Sequence, residues 1–118
     1  MPTGDADDPE REARLTALRT RFRTTLGDRV AAILDQLEAV RVGPWPRAGS
    51  AECLAMVHGL AGSAGLFGQD RLGEAAAAIE KLLVGFAKRQ TTTAVDIAAL
   101  REAARRLQTA YADIPDAV

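Results

Sequence analysis

The stretch Val57–Leu82, VHGLAGSAGLFGQDRLGEAAAAIEKL, decides how the chain folds. Val57, Leu60, Ala64 and Phe67 recur every three or four positions and stop at Gly68. That spacing marks one apolar stripe on a helix, and a glycine just past the last apolar residue suits the left-handed end position. Gln69 or Asp70 then caps a second helix, in which Leu72, Ala76, Ile79, Leu83 and Phe86 form a new stripe ending near Gln90. The small residues Ala75 to Ala78 predict a close approach by a neighbouring helix.

Working outward, Leu15, Leu18, Phe22, Leu26, Val30, Ile33, Leu37 and Val40 give a long amphipathic helix from Pro9 to Val42, with Gly27 as a point of bending. The segment Gly43–Ser50, GPWPRAGS, breaks it into a loop, with Trp45 as a lid on one end of the core and Ser50 as cap of the next helix. On the far side, Thr93 and Asp96 form a capping box. Ile97, Leu100, Ala104, Leu107, Tyr111 and Ile114 form the seam of a last helix, stopped by Pro115. Four such segments with short loops predict an all-α, up-and-down antiparallel four-helix bundle. The acidic, glycine- and proline-containing residues 1–8 are expected as a flexible tail, and 9–118 as the domain.

Composition narrows the function classes. The chain has 118 residues, enough for one core, and a formal net charge of −1, which gives no basic excess for nucleic acid. The single Cys53 can complete neither an internal disulfide nor a thiolate metal site and reads as a buried filler in a reducing compartment. The polar start lacks a signal-peptide pattern, and no apolar run reaches the ~20 residues that span a bilayer, so a cytoplasmic protein without membrane contact is expected. A bundle of this size is complete as a monomer. The long first stripe can instead be partly used in dimerisation, and the reading taken is the monomer.

One face is chemically distinctive. At about 100° per residue, Cys53, Met56, Val57, Leu60, Ala64 and Phe67 lie on the side away from His58. Ala51, Ala55, Gly62 and Gly65 surround the histidine, with Leu54 and Ala61 at the edge. Three glycines inside one helix cost roughly 2–3 kcal/mol relative to alanine, and Gly62 and Gly65 fall on the imidazole side, where clearance explains them better than core packing. The plainer alternatives are a surface histidine without a role and a helix broken at its glycines.

The same stretch resembles the histidine phosphotransfer (HPt) family, which includes the phosphoacceptor domain of chemotaxis kinases. The resemblance rests on His58, Gly59, Leu60, Ala61, Gly62, Ser63, Ala64, Gly68, Leu72 and Glu80, over about 25 residues on two adjacent helices. It implies a four-helix bundle in which His58 is the phosphoacceptor, exchanging a phosphoryl group with aspartates of response-regulator receiver domains in a phosphorelay fed by a sensor histidine kinase. The receiver would supply Mg²⁺ and the stabilising cations, so the chain is expected to be a carrier and not an enzyme, with no cofactor of its own. The docking surface is then Leu54, Ala55, Ala61, Gly62 and Gly65. Ala61 departs from the pattern, since many members carry lysine there; Arg71 and Lys81 on the next helix are candidate substitutes. The competing reading is an HPt-like interaction module that binds or inhibits a kinase or receiver without accepting phosphate. A metal or hydrolytic enzyme is a distant third, because one His and one Cys supply too few ligands.

Overall fold

A first helix, α1, runs over Pro9–Glu38 in the computed structural model, which describes residues 8–47 and 49–115. Asp8 is its N-cap, accepting from the Glu10 backbone N–H at 3.0 Å, and Pro9 fills the first turn, where no amide donor is missed. Asp8 therefore belongs to the helix start and not to the tail expected over residues 1–8, the remainder of which lies outside the described residues. The helix ends four residues before the expected Val42. It passes through Gly27 as one element, and a Cβ on that glycine would meet the Tyr111 hydroxyl at 2.8 Å, so the position is set by clearance for a side chain of another helix.

Three shorter helices complete the bundle: α2 over Ser50–Leu66, α3 over Asp70–Arg89 and α4 over Ala94–Ala112. α1 packs on α2 and α4, and α3 packs on the same two, giving the closed ring of an up-and-down four-helix bundle. The shared core holds Phe22, Leu26, Val30, Ile33 and Leu37 of α1, the stripe of α2, and Leu100 and Leu107 of α4. All five residues expected on the α3 stripe, Leu72, Ala76, Ile79, Leu83 and Phe86, are buried. In α4 the seam is shifted. Ala103 and Ala110 are buried, whereas Ala104 and Ile114 are half-buried and Tyr111 is exposed, because alanines on adjacent positions leave the phase of the stripe undetermined. No residue of α1 before Phe22 is buried, and the molecule measures 62 × 25 × 19 Å. A 30-residue helix is about 45 Å long, against about 25–30 Å for the others, so its first turns run beyond the core.

The α2–α3 hairpin is built as its sequence dictates. Gly68 takes φ 79°, and two backbone bonds, Gly68 N–H to Gly65 C=O at 3.2 Å and Gln69 N–H to Ala64 C=O at 2.8 Å, close the end of α2. Gln69 is the N-cap of α3, without a side-chain bond. Within Ala75–Ala78, Ala76 is buried and Ala75 packs partly against the core. Ala77 and Ala78 are exposed, and it is at Gly73 that an added Cβ would stand 3.4 Å from the Ala61 carbonyl oxygen and 3.5 Å from the Gly65 nitrogen. Ser50 is not a cap. Gly49 occupies that position at φ 83°, and the Ser50 hydroxyl donates back to Arg47 C=O at 3.1 Å.

The opposite end carries a feature absent from the expected loop. Gly43–Pro44 (β1) and Thr91–Thr92 (β2) pair antiparallel, Gly43 against Thr92 and Pro44 against Thr91. Thr92 is buried, and its hydroxyl donates to Arg41 C=O at 2.8 Å, which satisfies the polar atom. Trp45 donates its backbone N–H to Gln90 C=O at 3.0 Å and sets its ring edge-on to Phe86, centroids 5.5 Å apart, closing that end of the core as expected. Thr93 and Asp96 form the expected reciprocal capping box.

Candidate functional site

α2 carries the core on one side and a face of small residues on the other. Cys53, Val57, Leu60 and Ala64 are buried and Met56 and Phe67 pack partly against the core, which turns the other side to solvent. Burial pushes the Cys53 thiol above its ordinary range, so it stays protonated and is a packing residue. On the outer side His58 stands with its side chain 75% exposed, in mid-helix.

The small residues expected around it are where the wheel puts them. Ala51, Ala55, Gly62 and Gly65 are exposed, and Leu54 and Ala61 are half-buried at the two edges of the face. A Cβ added at Gly62 or Gly65 would meet no atom within 4 Å. Neither glycine makes room for the fold, so the helix-propensity cost of both falls on a surface that is bare of side chains. The helix is unbroken through them. Leu66, about 80° from His58 at 100° per residue and 78% exposed, adds an apolar side chain to the same face. Within α2 alone it reads as a helix end, so its exposure is not evident from periodicity.

The imidazole is held from the neighbouring helix. Glu80 projects from the middle of α3, and its Oε2 lies 2.7 Å from His58 Nδ1. The carboxylate can only accept, so the proton sits on Nδ1 and the neutral ring keeps its lone pair on Nε2. Residue spacing placed Glu80 on α3 but could not show that it reaches across to α2. The close approach at Gly73 brings the two helices near enough for this contact.

Arg71 and Lys81, the two candidate substitutes for the missing lysine, lie elsewhere. Arg71 pairs with Asp113 at 3.3 Å, and Lys81 lines the groove between α3 and α4 with Leu82, Phe86 and Asp96. Arg89 pairs with Asp96 at 3.0 Å and lies over the Phe86 ring. Among the described residues no three His, Cys, Asp or Glu side chains gather as a metal site, and no helix is long and apolar enough to cross a membrane.

Comparison with known proteins agrees with the four-helix fold. The family model described as Hpt domain matches residues 17–110, most of the bundle. No curated protein and no solved structure gives a match.

Proposed function

Since the chain belongs to the Hpt domain family, and is thus a histidine phosphotransfer module of two-component signalling, we propose that His58 is its phosphoacceptor. The observation that carries this reading is the 2.7 Å contact between His58 Nδ1 and Glu80, which leaves Nε2 as an exposed nucleophile. In the forward step Nε2 attacks the phosphorus of a receiver's aspartyl phosphate. The N–P bond forms as the P–O bond to the aspartate breaks, and the electron pair leaves with the carboxylate. The reverse step returns the phosphoryl group to another receiver. Metal ion and transition-state cations come from the receiver, so this chain contributes a positioned imidazole and an accessible surface.

Leu54, Ala55, Ala61, Gly62 and Gly65 are proposed as the docking face, with Leu66 as an added apolar contact. Small side chains let a receiver's active-site cleft reach Nε2, and a small interface suits a carrier that must release one partner before meeting the next. A sensor histidine kinase feeds the relay upstream. Residues 9–118, with Asp8 as the first cap, act as the module, and one copy suffices.

The test is to mix the wild type and His58→Gln with phosphorylated receiver domains. Acid-labile, base-stable label on the wild type alone is the expected result. Binding without label would favour instead an interaction module that engages a kinase or receiver without accepting phosphate.

A further inference from the structure

Ala61 leaves the position one turn beyond His58 without a cation, and both cations considered on α3 face α4. Arg29 of α1 differs from them in each respect. It is half-buried, and among the described residues it makes no ion pair. It lines a groove between α1 and α2 together with Asp28, Ala55, Met56 and Gly59. Its Nη2 lies 3.5 Å from the point where a Cβ on Gly59 would stand, so the guanidinium occupies the space beside the residue that follows His58.

The two flanks of the histidine are therefore distinct. At 100° per residue, Ala61 and Leu54 lie about 60° and 40° to one side of His58, and Ala55 and Gly59 about 60° and 100° to the other. α3 packs on the first flank, through Gly73 against Ala61, and Glu80 takes Nδ1 from there. Nδ1 and Nε2 point outward from different edges of the ring, so the edge bearing Nε2 is turned away from α3. Arg29, beside Gly59, lies on the other flank. Charged groups facing this region include the carboxylates Asp28, in the same groove, and Glu80, across the imidazole.

We propose that Arg29 supplies the cation for the phosphoryl group carried on Nε2 of His58. An arginine fork matches two phosphoryl oxygens and holds its charge at any physiological pH. The first helix thus takes over a task that the lysine position of α2 has given up. The inference rests on His58 being the phosphoacceptor.

The experiment uses phosphoramidate, a small donor that phosphorylates histidine without a partner protein, on the whole chain and on Arg29→Gln, Arg29→Lys and Lys81→Gln. Phosphohistidine is followed by ³¹P NMR across pH. A nearby cation favours the dianion and lowers its titration midpoint. Arg29→Gln should raise that midpoint by a few tenths of a pH unit and slow labelling by up to about fivefold, the size of one solvent-exposed charge pair. Arg29→Lys should restore most of the midpoint, and Lys81→Gln should leave it unchanged. An unshifted midpoint in a folded Arg29→Gln protein overturns the assignment of Arg29 while leaving His58 as acceptor. A wild type that takes no label at His58 overturns the acceptor reading itself, and this inference with it.

Discussion

Glu80 on α3 and His58 on α2 form a side-chain contact that gives the imidazole a direction: 2.7 Å between Oε2 and Nδ1, with the carboxylate 28% exposed and the ring 75% exposed. A half-buried acceptor holding an exposed donor fixes the tautomer without hiding the reactive atom.

Glu80→Ala should therefore release the tautomer. Long-range ¹H–¹⁵N correlation spectra of the wild type should show His58 protonated at Nδ1, and the variant should show the mixture of a free imidazole. Labelling by phosphoramidate should slow severalfold to about tenfold, in line with a hydrogen bond to a charged group weakened by solvent. A wild-type ring protonated at Nε2 would contradict the proposed mechanism.

Gly62 and Gly73 should respond in opposite ways to the same substitution. Gly62→Leu adds a side chain in open space to a better helix former, so stability should rise by about 0.5–1 kcal/mol. Transfer from receivers should nevertheless be lost while labelling by phosphoramidate persists, because only the protein partner is blocked. Gly73→Leu presses against the Ala61 carbonyl and Gly65 nitrogen and should cost about 1–3 kcal/mol in urea unfolding. Equal stability changes at the two sites would mean that the α2–α3 spacing is not set at Gly73.

Thr93→Ala should remove the cap of α4 and cost about 1 kcal/mol. It should flatten the acid limb of the stability curve only slightly, because alanine keeps the backbone N–H that is the larger hold on Asp96 and loses the hydroxyl alone. The backbone N–H of Thr93 holds the Asp96 carboxyl below the usual carboxylate range, helped by the Thr93 hydroxyl and Arg89. The unfolded chain therefore takes up this proton first as pH falls, and the Asp96 contribution, complete above the ordinary carboxylate range, is lost toward lower pH. Thermal unfolding of both proteins between neutral and strongly acidic pH reads the difference, and parallel curves would contradict it.

What could be read in the sequence follows from where the information resides. The α3 stripe was legible because Leu72, Ile79, Leu83 and Phe86 differ sharply from their neighbours. The α4 seam was displaced because Ala103 and Ala104 give a wheel no contrast. Ser50 looked like a cap by residue type, but Gly49 enters the left-handed region and turns the hydroxyl back to Arg47. The bare face around His58 was legible because one helix defines it. The reach of Glu80, the position of Arg29 beside Gly59 and the pairing of Gly43 with Thr92 depend on how separate helices meet, which periodicity within a segment does not encode.

The Gly43–Thr92 pairing bears on how the molecule opens. Its ladder and the Trp45 contact to Gln90 join the α1–α2 connection to the α3–α4 connection, so one pole of the bundle is riveted across both hairpins. The other pole, with Phe22 against Phe67, has the exposed Arg71–Asp113 ion pair but no strand pairing among the described residues. Breathing should then be directional, a jaw hinged at Trp45, with amides near Phe67 and Tyr111 exchanging hydrogen before those near Phe86. His58 and Glu80 sit midway along their helices, beyond the mobile tips, so a partner would meet a rigid imidazole on a molecule that is loose at one end.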